Sequence, residues 1–264
     1  DVDPNTFNID MSLLEKKFRS NPEKYKVIIS VNIFGLTANY EELNKLKEEY
    51  NFKIIEDAAQ SFGANINGQM SCTFGDISCT SFFPAKPLGC YGDGGAIFTN
   101  NQSYNEIIKS IRIHGQGKDK YDNIRLGING RLDTIQAAIL IPKLEILNQE
   151  IRSRNKIAKY YNSKLNEQFK SQSIPSGYVS AWAQYSFLCD SNSQRDEIIL
   201  KLKENNIPSA IYYLTPLHIQ KVFKALGYKI GDFPIAEDVS NRILSLPMHP
   251  YLSEQDIDSI CNTI

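Results

Sequence analysis

The chain has 264 residues, 42% of them hydrophobic and 22% charged, with a formal net charge of −1. That is the composition of an ordinary globular protein with one large domain or two smaller ones, and it gives no bulk attraction to nucleic acid or acidic membranes. No apolar run approaches the length of a membrane span, and the acidic, polar opening DVDPNTFNID is not a signal peptide.

In chain order, KVIISVNIF (26–34) is a near-continuous apolar run with β-branched residues, the pattern of a strand buried on both faces. NYEELNKLKEEY (39–50) has helical spacing of leucines among good helix formers, and FKIIED (52–57) is the next short strand. Together they make a βαβ unit, which predicts a parallel or mostly parallel sheet. DISCTSFF (76–83) and GGAIFTN (94–100) predict further strands, and SYNEIIKSIRIH a helix. HGQGKDKY (114–121) has the look of a surface loop, with His114 structural. The stretch from about Leu132 to Leu165 is strongly helical, with Asp133 placed to cap it and Pro142 expected to kink or divide it. Beyond SQSIPSG come a strand in AWAQYSFLCD (181–190), a helix in SQRDEIILKLKENN (193–206) and short helices separated by proline-rich turns. The predicted division is a large domain over 1–148, then a linking helix and a smaller α+β domain over 149–264.

Five scattered cysteines show neither zinc spacing nor a disulfide framework, and the three histidines lie far apart, so no metal site is expected. Reduced thiols in a cytoplasm are the simplest reading.

Several residues are candidates for chemistry. Asp57 ends a strand, and ligands of open α/β sheets bind outside the carboxyl ends of their strands. Its alternative role is to cap the next element. Small residues follow it, then Gln60. Ser81 ends another predicted strand, and five residues on stands Lys86, bracketed by Pro84 and Pro87 and followed by Gly89, Gly92, Gly94 and Gly95. A glycine-rich stretch taken alone has a tight hairpin as its plainer explanation. Asn129 and Arg131 stand just before the long helix, where a polar turn with a helix cap is the plainer explanation. An acid for a pyridinium nitrogen, a hydroxyl for a phosphate and a lysine for a Schiff base, all at one sheet edge, describe a pyridoxal phosphate (PLP) site.

The motifs IIEDAAQSFGA, GDISCTSFFPAKPLGCYGDGGAIFTN, IRIHGQG, GINGRLDTIQAAIL and RNKIAKYYNSKL follow one another as in the DegT/DnrJ/EryC1/StrS family, which the chain resembles from residue 1 to residue 264. These are PLP-dependent nucleotide-sugar aminotransferases of fold type I, an α/β architecture. The resemblance implies that Lys86 carries the Schiff base, Asp57 pairs with the pyridine nitrogen, Gln60 lies by the ring and Ser81 holds the phosphate. It also implies that Asn129, with Arg131 nearby, reaches the cofactor of a neighbouring subunit, giving a homodimer with shared active sites.

The C-terminal motifs SAWAQYSF, NNIPSAIYYLTPLHIQKVF and GYKIGDFPIAEDVSNRILSLPMHPYLS resemble members that aminate UDP-linked keto-sugars, including 3-keto-hexuronates. This places Tyr213, a catalytic candidate, and beside it Tyr212 at the substrate or lysine side of the site, with His218 in PLH a lesser candidate for substrate, although the tyrosines fit aromatic packing at a domain interface equally well. The implied donor is L-glutamate. Relatives begin well before the equivalent of Asp1, so the expectation is an incomplete large domain lacking an upstream phosphate-binding turn. Two rival functions are a PLP-dependent sugar dehydratase, whose pattern has histidine where Lys86 stands, and a truncated, non-catalytic homologue. A nicotinamide enzyme would need a G-x-G-x-x-G after the first strand, and none is present.

Overall fold

The computed structural model describes residues 1–165 and 168–264. Its first half is built on β1 (Val27–Val31), β2 (Lys53–Asp57), β5 (Ile77–Ser81) and β6 (Gly95–Phe98), hydrogen-bonded in the order β1-β2-β5-β6. The first three are parallel and β6 is antiparallel to β5. Helix α1 (Met11–Ser20) precedes β1, α2 (Tyr40–Tyr50) joins β1 to β2, and α3 (Gln102–Arg112) follows β6. Helix α2 begins where the Asn39 side chain accepts the Glu42 N–H and ends at Asn51, which adopts a left-handed conformation. The core on this side of the sheet includes Phe18 stacked between Tyr50 and Phe52, with Tyr40, Leu43, Leu46, Ile54 and Phe74.

One small sheet pairs β3 (Asn65–Ile66) with β4 (Gln69–Met70) and with β8 (Tyr178–Val179). A second, in the C-terminal half, has the order β10-β9-β7, from β10 (Ile243–Leu246), β9 (Tyr185–Leu188) and β7 (Lys170–Ser171). Around the second sheet pack α4 (Thr134–Leu165), α5 (Asn192–Glu204) and α7 (Glu254–Thr263), with Tyr161, Tyr185, Phe187, Leu202 and Leu244 among the most buried side chains. Helix α6 (Pro234–Arg242) leads into β10. Its own N-cap side chain makes no capping bond, and the Asp1 carboxylate accepts the N–H groups of Ile235 and Ala236 at 2.8 and 2.9 Å instead. Among the described residues, no helix is long and apolar enough to cross a membrane.

Of the two expectations at Pro142, a kink or a division, the division is corrected: helix α4 is continuous from Thr134 to Leu165. Pro142 is exposed, and buried Leu140 and Leu147 dock the helix on either side of it, so side-chain packing offsets the lost backbone bond. Among the described residues only one face of strand β1 is covered, where the apolar run predicts two. Its inward side carries Ser30, fully buried, while Val27, Ile29 and Val31 alternate onto a face where Ile29 is 61% exposed. An apolar run specifies a strand without saying what lies against each face.

Strand β2 ends in two adjacent acids with opposite fates. Glu56 points into the fold and is fully buried. Its Oε1 accepts from Asn32 Nδ2 (3.0 Å), Ser71 Oγ (3.1 Å) and the Cys72 N–H (2.9 Å). Its Oε2 accepts from the Phe74 N–H (3.0 Å) and Ser78 Oγ (2.7 Å). Asp57 alternates to the other face, at the carboxyl edge of the sheet. Exchanging Glu56 for glutamine turns one saturated oxygen into a donor that faces donors. Glu56→Gln is expected to destabilise the fold by about 3 kcal/mol, seen as a lower urea midpoint at unchanged slope.

Candidate active site

The sheet register brings the predicted residues to one edge. Val31 pairs with Asp57, Asp57 with Cys79, and Ser81 with Gly95, so β2 and β5 deliver Asp57 and Ser81 at their carboxyl ends. Asp57 Oδ1 accepts the Ala59 N–H at 3.0 Å, and among the described residues its Oδ2 accepts no hydrogen bond. Ser81 Oγ accepts the Phe83 N–H at 3.2 Å, which leaves its own proton to donate.

From Ser81 the chain makes the turn that carries Lys86. The Lys86 N–H donates to the Phe83 carbonyl at 2.9 Å, and the Cys90 N–H to the Phe82 carbonyl at 2.8 Å. Gly89 is required by close approach, because a Cβ there would lie 2.5 Å from the Pro84 carbonyl oxygen. The Lys86 side chain is half-buried, and its ammonium has no hydrogen bond or ion pair among the described residues. Burial lowers its pKa from the ordinary lysine value, while the Asp57 carboxylate opposes that shift. The Cys79 thiol, beside Asp57 in the register, is pushed up by burial and by the charges of Asp57 and Glu56.

Gln60 is buried and bonded at both ends of its amide. Oε1 accepts the N–H of Phe34 at 2.5 Å, and Nε2 donates to the Tyr213 hydroxyl at 3.1 Å. One Nε2 proton remains. Phe34 sits at φ +60°, a strained conformation for a bulky side chain. Its role in anchoring Gln60 was missed by sequence reasoning; the Phe34-Gly35 break at the end of the apolar run was the available signal.

The remaining candidates divide. Tyr213 is joined to the cluster through Gln60, and its ring meets that of Tyr212 edge to face at 5.5 Å. Tyr212 packs with Phe7, Phe34, Leu188 and Ile243, the packing role that the sequence left open. Asn129 and Arg131 are exposed at the end of a hairpin bridged at Ile113–Asn129 and Gln116–Asn123. Among the described residues, neither bonds to the Asp57–Lys86 cluster. His218 is turned away from solvent, with its Nε2 2.9 Å from Glu237 Oε1 and its ring against Phe233. A cavity of about 560 Å³ lies elsewhere, among Pro4, Lys170, Asp190 and Arg242, and contains none of these residues.

The donor set fits PLP. An unbonded amine of lowered pKa, a carboxylate oxygen without a protein donor and a hydroxyl proton without an acceptor lie on one edge.

The model of the DegT/DnrJ/EryC1/StrS aminotransferase family matches residues 1–264. The UDP-2-acetamido-2-deoxy-3-oxo-D-glucuronate aminotransferase of Pseudomonas aeruginosa is 42% identical over 262 residues, 99% of this chain and 70% of that one. A DegT DnrJ EryC1 StrS aminotransferase from Brucella abortus superposes with a TM-score of 0.92 at 46% identity, covering 100% of this chain and 71% of the other. The PLP form of a protein described as a sugar aminotransferase from Streptococcus pneumoniae gives a TM-score of 0.88 at 25% identity, over 100% of this chain and 72% of that one.

The electrostatics of Lys86 can be tested without cofactor. Its reaction with an amine-specific acylating reagent, followed by peptide mass spectrometry, is expected to begin at lower pH than that of a simple alkylamine added as an internal standard. Removing the opposing carboxylate in Asp57→Asn should move the Lys86 profile lower still. A profile unmoved or raised in Asp57→Asn would show that Asp57 does not face the amine.

Proposed function

The chain belongs to the DegT/DnrJ/EryC1/StrS aminotransferase family of PLP-dependent sugar aminotransferases, and on that premise we propose that it moves an amino group from L-glutamate to a UDP-linked 3-keto-sugar, in surface-glycan biosynthesis. The observation that carries the site assignment is the convergence of Asp57, Ser81 and half-buried Lys86 at one sheet edge, each with an unused donor or acceptor. The named activity of the 42% identical relative supports a UDP-linked 3-keto-hexuronate as the acceptor class.

PLP, when bound, supplies a carbonyl that condenses with amines and a ring that draws electron density from the carbon undergoing proton transfer. Lys86 Nζ is the attachment point, and burial favours the neutral amine that attachment requires. Freed by the amino donor, Lys86 Nζ would serve as the base and acid that moves a proton away from the donor's α-carbon, and would act in reverse with the keto-sugar. Asp57 Oδ2 would hold a proton on the pyridine nitrogen, the Ser81 hydroxyl would donate to a phosphate oxygen, and the remaining Nε2 proton of Gln60 would serve as a donor beside the ring. Tyr213, anchored on Gln60, would face the substrate, and Tyr212 packs with Phe34 and Leu188.

We assign Asn129 and Arg131 to the site of a second copy of the chain. Their exposure on a hairpin, away from their own Lys86, supports a homodimer with shared sites. In this reading residues 1–148 form the cofactor-binding domain and 149–264 the linking helix and smaller domain. The protein works in the cytoplasm, consistent with five unpaired cysteines. His218 is bonded to Glu237, so any contact with substrate would use its other ring nitrogen or its ring face.

Mass spectrometry of products from UDP- and dTDP-linked keto-sugars with glutamate tests the reaction, with an amino-sugar expected only from the UDP-linked 3-keto series. Borohydride reduction of the PLP complex should fix the label on Lys86. Asp57→Asn should keep the fold and slow turnover by about 100-fold or more. Mixing Lys86→Ala with Asn129→Ala subunits should restore part of the activity, since a mixed dimer has one site free of both changes. No recovery despite proven subunit exchange would rule out the shared site.

A further inference from the structure

The turn that presents Lys86 is held by a helix that contributes nothing directly to the cluster. Gln136, Leu140, Lys143, Leu147 and Ile151 recur at helical spacing along α4 and make one stripe. The three apolar members pack with Phe82, Leu88 and Cys90, the residues flanking Lys86. The two polar members grip the turn itself. Gln136 Oε1 accepts the Tyr91 N–H at 2.8 Å, and Lys143 Nζ donates to the Gly89 carbonyl at 2.6 Å while lying 4.8 Å from the centre of the Tyr91 ring. Gly92 passes so close that a Cβ there would meet Gln136 Nε2 at 3.0 Å.

External support is what this turn requires. Pro84 and Pro87 have no N–H to give, and the turn's own bonds from Lys86 and Cys90 both run back to Phe82 and Phe83 at its entrance. Within its far limb, from Gly89 to Gly92, the Cys90 thiol also lies 3.0 Å from the Phe82 carbonyl oxygen and 3.1 Å from that of Gly92, while Gly89, Tyr91 and Gly92 meet α4 from outside the turn. Displacement of a reacting atom by 1 Å can cost about 100-fold in rate.

We propose that Gln136 and Lys143 are positioning residues, which fix the far limb of the Lys86 turn so that Lys86 Nζ meets the cofactor's carbonyl in a single arrangement. The proposal rests on the assignment of Lys86 as the attachment point. Lys143 is a half-buried lysine whose cation faces a carbonyl and a ring and pairs with no carboxylate among the described residues, so its bond to Gly89 is its principal polar engagement.

The test uses the full chain with Gln136→Leu, Lys143→Met and Lys143→Arg, and Glu145→Gln on the exposed side of α4 as control. Without cofactor, hydrogen exchange over residues 88–95 should quicken about fivefold in Gln136→Leu and about tenfold in Lys143→Met, with peptides of α4 beyond residue 147 unchanged. With PLP added, the visible absorbance of the lysine adduct should form about tenfold more slowly in both, at a shifted pH midpoint. Lys143→Arg, still able to donate to Gly89, should recover most of the rate, and Glu145→Gln should match the parent.

Adduct formation at the parent rate despite faster local exchange would overturn the proposal, as would unchanged exchange. So would exchange that quickens equally throughout the chain with a fall in thermal midpoint, since the residues would then serve general stability alone. Borohydride label on another lysine of the parent protein would overturn the underlying assignment, and that result is read separately from the variants' rates.

Discussion

The site depends on a carboxylate that takes no part in its chemistry. Glu56 is fully buried and has no cationic partner among the described residues, yet it accepts five hydrogen bonds from the loop after β1, the 71–74 loop and β5. Ser71 gives its proton to Glu56, so the 2.6 Å contact between Ser61 and Ser71 has Ser61 as donor, and Ser61 in turn accepts from Asn32 Nδ2. Asn32 Oδ1 closes the group by accepting from the Ala38 N–H and the Tyr40 hydroxyl, whose pKa is raised by burial and by the nearby Glu56 charge. A buried charge is tolerated only when its accepting capacity is filled, so this arrangement has few alternatives. It fixes β2 against β5, and Asp57 and Ser81 inherit their places by alternation along those strands.

A second constraint joins the two halves of the chain. Gly35 runs so close to the segment after β8 that a Cβ would lie 2.5 Å from the Trp182 nitrogen, and its carbonyl accepts the Ala181 N–H. The residues meeting there, Phe34 and Trp182, both have positive φ. Gln60 holds Phe34 on one side and Tyr213 on the other, so backbone strain in one half is tied to a tyrosine from the other. Helix α4 runs alongside both. Its Arg154 donates to the carbonyls of Trp182 and Met248, and its Tyr161 hydroxyl donates to the Pro247 carbonyl.

What the sequence made legible follows from period and length. Strands β2 and β5, helices α2, α3, α4 and α5, and the cluster of Asp57, Ser81 and Lys86 all rest on local patterns of five residues or more. Strand β10, only the four residues ILSL, is too short to separate from a helix end, and the two-residue strands have no period at all. IIEDAAQ offers two adjacent acids, and only tertiary register decides which faces inward. The hairpin before Asn129 is set by contacts that no local pattern encodes. A Cβ at Gly115 would lie 1.8 Å from the Arg125 carbonyl oxygen, and one at Gly127 would lie 2.0 Å from the Gly115 nitrogen. Arg131 and Asn129 are legible through resemblance, because their place depends on that remote closure.

The chain's carboxylates also show how the proposed functional acid, Asp57, differs from the structural ones. Asp76 accepts the Ile54 N–H and pairs with Lys47 and Lys53, and its pKa is lowered by those donors against the cost of burial. Asp1 caps α6. Glu237 accepts the Gly231 and Phe233 N–H groups and binds His218, so the PLH motif is drawn into holding a loop. Each of these acids has its oxygens occupied by groups that would otherwise be unsatisfied. Among the described residues, Asp57 has one oxygen on Ala59 and the other without a protein donor, and the Lys86 amine, whose pKa it influences, has no hydrogen-bond partner. Both side chains are half-buried and reached by solvent, so the pair is free to engage a ligand that offers a ring N–H and a carbonyl, as the proposed function requires.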